Sequence, residues 1–285
     1  MNHNVLRSRI RTSVIAFAAS LALGGPAVAQ NGTNPNFVPE IEQQNSTNDQ
    51  LKQHQLEATP TAPKIDPQEE AAYKSFYNTQ SHDADARIQL GQAFLQKYPS
   101  SRYAESVYAG LTQAYYVKQD WKDFYDSGDK ALALNADDVP VLVTIGWVIP
   151  HSLDPSDPDA SKNLDKAERF EKHAIELLGT MAKPASMTDD QFAQSKTSLL
   201  SQAHSGLGLV YFRRQDSDDS VKELQQATQS SASPDPADLF VLGIGLQSLS
   251  RYSEAADAFN RCGQIPGALQ DRCKQSAEAA KKQVR

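Results

Sequence analysis

From Asp66 onward, apolar residues recur at three- and four-residue spacings, the interval that gathers side chains on one face of an α-helix. Helix starts are marked too. Asp66-Pro67 supplies a capping side chain followed by proline at the first helical position. Thr188 and Gln191 stand three apart at the head of a long helical pattern, the spacing of a capping box. One stretch dissents: Val141–Ile149 is almost wholly apolar between Pro140 and Pro150, and its pattern alone fits a buried strand. The stretch follows a helical start at Glu105 by one repeat length, 34 residues to Val139, which decides for a helix. A single strand among helices would also have no ladder partner for its backbone groups.

The same pattern repeats at longer range. Four stretches align with starts at Glu105, Val139, Ser201 and Pro236; the first two starts are 34 residues apart, the last two 35, and the middle interval is 62. In the last stretch Leu239, Leu242, Gly243, Leu246, Tyr252, Ala255, Phe259 and Cys262 occupy offsets 4, 7, 8, 11, 17, 20, 24 and 27. The stretch from Ser201 repeats this with Leu207, Gly208, Tyr211, Leu224 and Ala227, though Ser220 replaces the usual alanine. The stretch from Glu105 has Tyr108, Leu111, Tyr115, Trp121 and Ala131, and departs at Thr112, Phe124 and Gly128. That from Val139 has Leu142, Ile145, Gly146, Ala167 and Ala174, with an insertion of about a dozen residues around HSLDPSDPDAS.

These offsets resemble the tetratricopeptide (TPR) pattern, in which large and small residues alternate where two antiparallel helices meet. Gly243 and Ala255 fall where the helices would approach most closely, and Phe259 is the knob. Asp66–Pro99 reads as one more, degenerate, hairpin, and the segment ending it is similar to junctions in BamD-like outer-membrane assembly factors. The resemblance covers about 200 residues. It implies an all-α, right-handed superhelical solenoid of antiparallel helix pairs, since one hairpin cannot bury its apolar face alone. Gly267–Arg285, with Leu269, Cys273, Ala277 and Ala280 on one side and charged residues on the other, suits a C-terminal capping helix.

The resemblance also implies where a partner would bind. First-helix offsets 2, 5, 9 and 12 line the concave wall of TPR arrays; here they include Tyr116, Trp147, Leu209, Phe212, Phe240 and Ile244. The Lys/Asn pattern that clamps carboxylates in chaperone-binding TPRs is missing, and the lining is aromatic and aliphatic. Two readings stand: an apolar groove for a protein or peptide, or positions covered by tight packing or by the chain's own amino-terminal tether.

The amino terminus changes the compartment. Residues 1–29 run from a basic stretch through the apolar SVIAFAASLALGG to Ala27-Val28-Ala29, the layout of a signal peptide cleaved after Ala29. No Cys stands near that site for acylation, so the expected location is periplasmic or secreted. Residues 30–65 are rich in Asn, Gln, Thr, Pro and Ser and read as a disordered polar linker. The repeat domain is then 66–285, with no transmembrane segment in the mature chain. The formal charge is −7, from 28 Lys and Arg against 35 Asp and Glu, and Arg7, Arg9 and Arg11 lie in the removed segment. Such an acidic chain is a poor match for nucleic acid or an anionic membrane surface.

Candidate chemistry is sparse. His3, His54, His82, His151, His173 and His204 show no metal-ligand spacing. Ser127-x-x-Lys130 has the spacing of serine hydrolases that act through lysine, without companion motifs. Asp154, Asp157 and Asp159 lack the turn glycine and terminal glutamate of a calcium loop. No catalysis, cofactor or metal is expected. Cys262 and Cys273, in an exported chain, either bridge or lie buried as two thiols. The sequence reads as a non-catalytic interaction scaffold or adaptor in the bacterial envelope. Its rivals are a BamD-like or Tol–Pal-associated assembly factor and the positioning subunit of an exported enzyme complex.

Overall fold

The computed structural model describes residues 66–79, 83–231 and 233–284. The segments 1–29 and 30–65, read above as export signal and linker, lie outside the described residues. Among the described residues there are eleven α-helices and no strand. They are α1 (Pro67–Tyr77), α2 (Ala84–Lys97), α3 (Ala104–Lys118), α4 (Trp121–Leu134), α5 (Val139–Ser152), α6 (Ala160–Thr180), α7 (Asp189–Arg213), α8 (Ser217–Ser230), α9 (Pro236–Ser248), α10 (Tyr252–Gln264) and α11 (Gln270–Lys281). None of these helices is long and apolar enough to cross a membrane.

The ambiguous apolar run 141–149 lies inside α5. Asp138 opens that helix, with its Oδ1 accepting from the Val141 N–H and its carbonyl from the Leu142 N–H. Pro140 sits in the first turn, where its missing N–H costs nothing. The other start signals also take effect. Asp66 Oδ1 accepts from the Gln68 N–H, and Thr188 and Gln191 bond reciprocally, side chain to backbone, at 3.0 and 3.2 Å.

Ten helices form five consecutive pairs, and α11 follows as a cap. Three of the turns inside pairs are built alike. Gln119, Gln215 and Ser250, each the fifteenth residue of its repeat, have φ of 56°, 63° and 61°. The next N–H then reaches back to the carbonyl five residues earlier: Asp120 to Tyr115, Asp216 to Tyr211 and Arg251 to Leu246. That is a Schellman closure made without glycine. In two cases the following aspartate caps the partner helix, Asp120 on Asp123 and Asp216 on Asp219.

The small-against-large contact recurs in the same frame. A Cβ added to Gly208 would stand 2.7 Å from Leu224, and one added to Gly243 would stand 2.5 Å from Phe259, partners 16 residues apart in both repeats. In the repeat from Glu105 the sizes are exchanged: Thr112 takes the first-helix place and Gly128 the second, which makes room for Ile145 from α5. In the repeat from Val139, Gly146 faces Glu171, nine residues later than the spacing elsewhere. The structure therefore places the insertion at nine residues up to that contact, in the α5–α6 connection and the start of α6. At the amino-terminal end, Phe76 of α1 fills the space over both Gly91 and Gly110.

The chain divides into two compact units. One comprises the described residues up to Gly146 together with Arg169–Ala203, and its core includes Val139, Leu142, Val143, Ala174, Leu178, Leu199 and Ala203. The other comprises Trp147–Glu168 and His204–Arg285, with a core running from Leu209 and Leu224 through Leu239, Phe240 and Phe259 to Cys273, Ala277 and Ala280. The cap buries its small apolar stripe and leaves Asp271, Lys274, Glu278, Lys281 and Lys282 exposed.

Candidate functional site

The aromatic positions expected to line a groove have unequal environments. In the first unit, Tyr116 closes the last turn of α3 and is half-buried. Its ring stands 6.2 Å from Trp121, the first residue of α4, and 6.2 Å from Phe124. Val117, next after Tyr116 in the chain, is 54 % exposed, and Trp121 is 38 % exposed. The left-handed turn at Gln119 brings Tyr116, Trp121 and Phe124 together. Sequence reasoning took Trp121 only as a repeat-consensus residue and did not note Val117; the signal available was an aromatic directly after a capping aspartate, outside the helix–helix contact.

In the second unit, Trp147 is half-buried and fixed. Its Nε1 donates to Ser205 Oγ at 3.1 Å, and Ser205 Oγ donates to Asp238 Oδ1 at 2.8 Å. The His151 ring lies one turn further along α5, with its centroid 3.8 Å from that of Trp147, and Nδ1 is 2.6 Å from the Trp147 carbonyl. Nδ1 therefore carries the hydrogen, and the buried Nε2 has no partner. Burial holds the His151 pKa below its ordinary value; the Trp147 carbonyl and Asp235 oppose this, and Arg213 adds to it. Burial pushes Asp238 well above the usual carboxylate range, with Asp235 adding to the rise and the Ser205 hydrogen bond opposing it. The cluster is a hydrogen-bonded strut between α5, α7 and α9.

Phe240, Leu209 and Ile244 belong to the core of the same unit. Phe240 is 1 % exposed: the Phe259 ring centroid lies 5.5 Å from its own, and the Arg272 guanidinium from α11 stands 5.0 Å over its face. These three side chains present no free surface in this arrangement, because the next helix pair and the cap pack onto the faces they occupy. Phe212 is half-buried against the same core. Of the six groove positions, Tyr116, Trp147 and Phe212 retain solvent exposure.

The candidate chemistry elsewhere is engaged structurally. Ser127 is buried on α4, and the Lys130 ammonium lies 5.4 Å over the Tyr108 ring. Asp154 accepts from both the backbone and the hydroxyl of Ser156, and Asp157 accepts from the Asp159 N–H, so the acidic loop spends its carboxylates on its own turns. Among the described residues no three His, Cys, Asp or Glu side chains are grouped to hold a metal ion. Cys262 and Cys273 form a disulfide with their Cα atoms 5.7 Å apart, which joins α10 to α11.

No protein-family model matches the chain, and the search of curated proteins found no match. Among solved structures the chain is similar to TTC0263, a thermophilic TPR protein of Thermus thermophilus. The TM-score is 0.47 and the identity 15 %, covering 75 % of this chain and 99 % of that one. It is also similar to the TPR domain of P58(IPK), with a TM-score of 0.32, 11 % identity and coverage of 75 % and 65 %. A tetratricopeptide repeat protein of Parabacteroides merdae gives 0.29, 11 %, and coverage of 76 % and 100 %. The fold, an all-α array of TPR-like helix pairs with a C-terminal capping helix, rests on the recurring turns and glycine contacts described above.

Proposed function

We propose that this chain is a non-catalytic scaffold of the bacterial envelope that binds a protein or peptide through exposed aromatic side chains. The observation that carries the reading is the Tyr116–Trp121 contact at the α3–α4 turn, where Trp121 is exposed and so is Val117, the neighbour of Tyr116 in the chain. Aromatic residues of this kind supply much of the energy at protein interfaces, whereas isolated surface apolar residues do not. Trp147 and Phe212 are a further set in the other unit, narrowed from the six positions of the expected groove. Export rests on the layout of residues 1–29, and the acidic balance supports a protein partner over nucleic acid.

The test is a photocrosslinking amino acid placed singly at Trp121, Tyr116 and Phe212 in the full chain expressed in exporting cells. A discrete adduct at Trp121 or Tyr116, weakened when Val117 is changed to Asp, is the expected result. Adducts no stronger than those from the exposed face of α11 overturn the reading. The identity of the crosslinked protein then separates an outer-membrane assembly role from positioning of an exported enzyme.

A further inference from the structure

Glu171 occupies the place that an apolar knob fills in the neighbouring repeats. It faces Gly146 as Leu224 faces Gly208 and Phe259 faces Gly243. It lies at the centre of the buried stripe of α6, in line with Leu164, Ala167, Ala174 and Leu178, and is itself 0 % exposed. Neither carboxyl oxygen has a hydrogen-bond partner. A Cβ added to Gly146 would stand 2.6 Å from the carboxyl group, so the acid is packed against α5 backbone with no room for a solvating shell.

The facing elements supply no charge to balance it. The α5 residues Val139–Pro150 contain no titratable group. On α7, which shares the core around Ala174 and Leu178, Lys196 lies over the Phe192 ring and His204 is paired with Glu223. On α4, Lys130 is occupied by Tyr108. Burial alone raises the Glu171 pKa well above the ordinary range, with no charged or hydrogen-bonding neighbour contributing. An ionised carboxylate in that setting is strongly disfavoured, and the group stays protonated instead.

We propose that Glu171 is a proton-operated latch on the α5–α6 contact: the neutral acid packs over Gly146 as a knob, and loss of its proton opens that contact locally. The sign follows from linkage. The folded state holds the proton more tightly than the unfolded chain, so the stability is complete below about pH 4.3. It falls as pH rises toward the folded-state pKa, by about tenfold in the folding constant per pH unit. Above that pKa the loss is complete, and local opening between Gly146 and Glu171 becomes the route by which the carboxylate reaches water. This inference does not depend on the scaffold reading, because it concerns the helix contact alone.

The test compares the full chain with Glu171→Gln and Glu171→Leu. Denaturant unfolding across a range from about pH 4 to about pH 9 is expected to show the wild type losing stability relative to the Gln variant, with a slope approaching about tenfold per pH unit. Amide exchange over 142–149, corrected for the intrinsic pH effect, is expected to accelerate in the wild type and not in either variant. If Glu171→Gln fails to fold, Glu171→Leu serves as the reference, since it restores the residue type found over Gly208. A protonated-carboxyl stretch in the infrared at neutral pH, stronger in the wild type than in the Leu variant, where Asp238 alone remains to contribute, is the direct signature. Parallel stability curves for wild type and variant, or a band of equal strength in the wild type and the Leu variant, overturn the latch.

Discussion

Gly243 lies so close beneath Phe259 that a Cβ added to it would stand 2.5 Å from the ring. The ring cannot move away freely, because Phe240 packs against it with centroids 5.5 Å apart in the middle of the core. Glycine is required there by space, not by backbone conformation. Gly243→Ala gains up to about 1 kcal/mol in helix propensity, but overpacking costs about 1–3 kcal/mol. The expected result is a net loss in urea unfolding. Gly179 on α6 has nothing within 4 Å of an added Cβ, and Gly179→Ala should leave stability unchanged or raise it.

The three left-handed turn residues make an opposite prediction. Gln119, Gln215 and Ser250 hold positive φ where a side chain costs about 1–2 kcal/mol relative to right-handed geometry. Glycine carries no such cost. Gln119→Gly and Gln215→Gly should each raise the unfolding midpoint, together by more than either alone. A lower midpoint would show that these side chains stabilise the turn by contacts that outweigh the strain.

Phe240 and Trp121 should separate core from surface. Phe240→Ala is expected to cost about 3–5 kcal/mol, because it empties a site closed by Phe259 and Arg272. Trp121→Ala should cost less than about 1.5 kcal/mol and reduce partner crosslinking. Thermal melts alongside crosslinking yields read both effects; equal destabilisation by the two would remove the distinction.

The Cys262–Cys273 bridge closes a short loop across the α10–α11 turn, with a sequence separation of 11. Such a loop is worth about 3 kcal/mol, mainly through the unfolded chain. Cys273→Ala should therefore lower the melting temperature, and the variant should be insensitive to reductant while the wild type is not. Because α11 covers Phe240 through Arg272, the loss should be accompanied by greater exchange in α9.

Asp238 gives a pH prediction separate from that of Glu171. Its folded-state pKa is raised, chiefly by burial, so the acid contributes stability that is present below about pH 3.9. That contribution is lost as pH rises through the folded value. Asp238→Asn retains an acceptor for the Ser205 hydroxyl and does not ionise. Its stability relative to wild type should rise between about pH 4 and about pH 7, measured as the difference in unfolding midpoint. A difference that is flat with pH would mean that Asp238 is ionised in the folded chain.

Helix pairs, their starts and the cap were legible in the sequence, because each depends on residues within one or two repeat lengths. Thr188 finds Gln191 three residues on, and Gly208 finds Leu224 sixteen on, whatever the rest of the chain does. The helical state of the apolar run 141–149 follows from its distance from Glu105, a longer-range regularity but still a linear one. Exposure was not legible in this way. Phe240 and Trp121 are both large aromatics at repeat positions, yet one is covered by an arginine 32 residues downstream and the other lies at a turn with solvent beside it. The partners that close a surface belong to other helices, and only tertiary packing brings them there. Glu171 is the sharpest case. An insertion displaces it from the repeat register, so an acid in a knob position escapes the pattern. Its burial without a partner is set by α5 packing over it, where a glycine leaves space for the carboxyl and nothing to bond it.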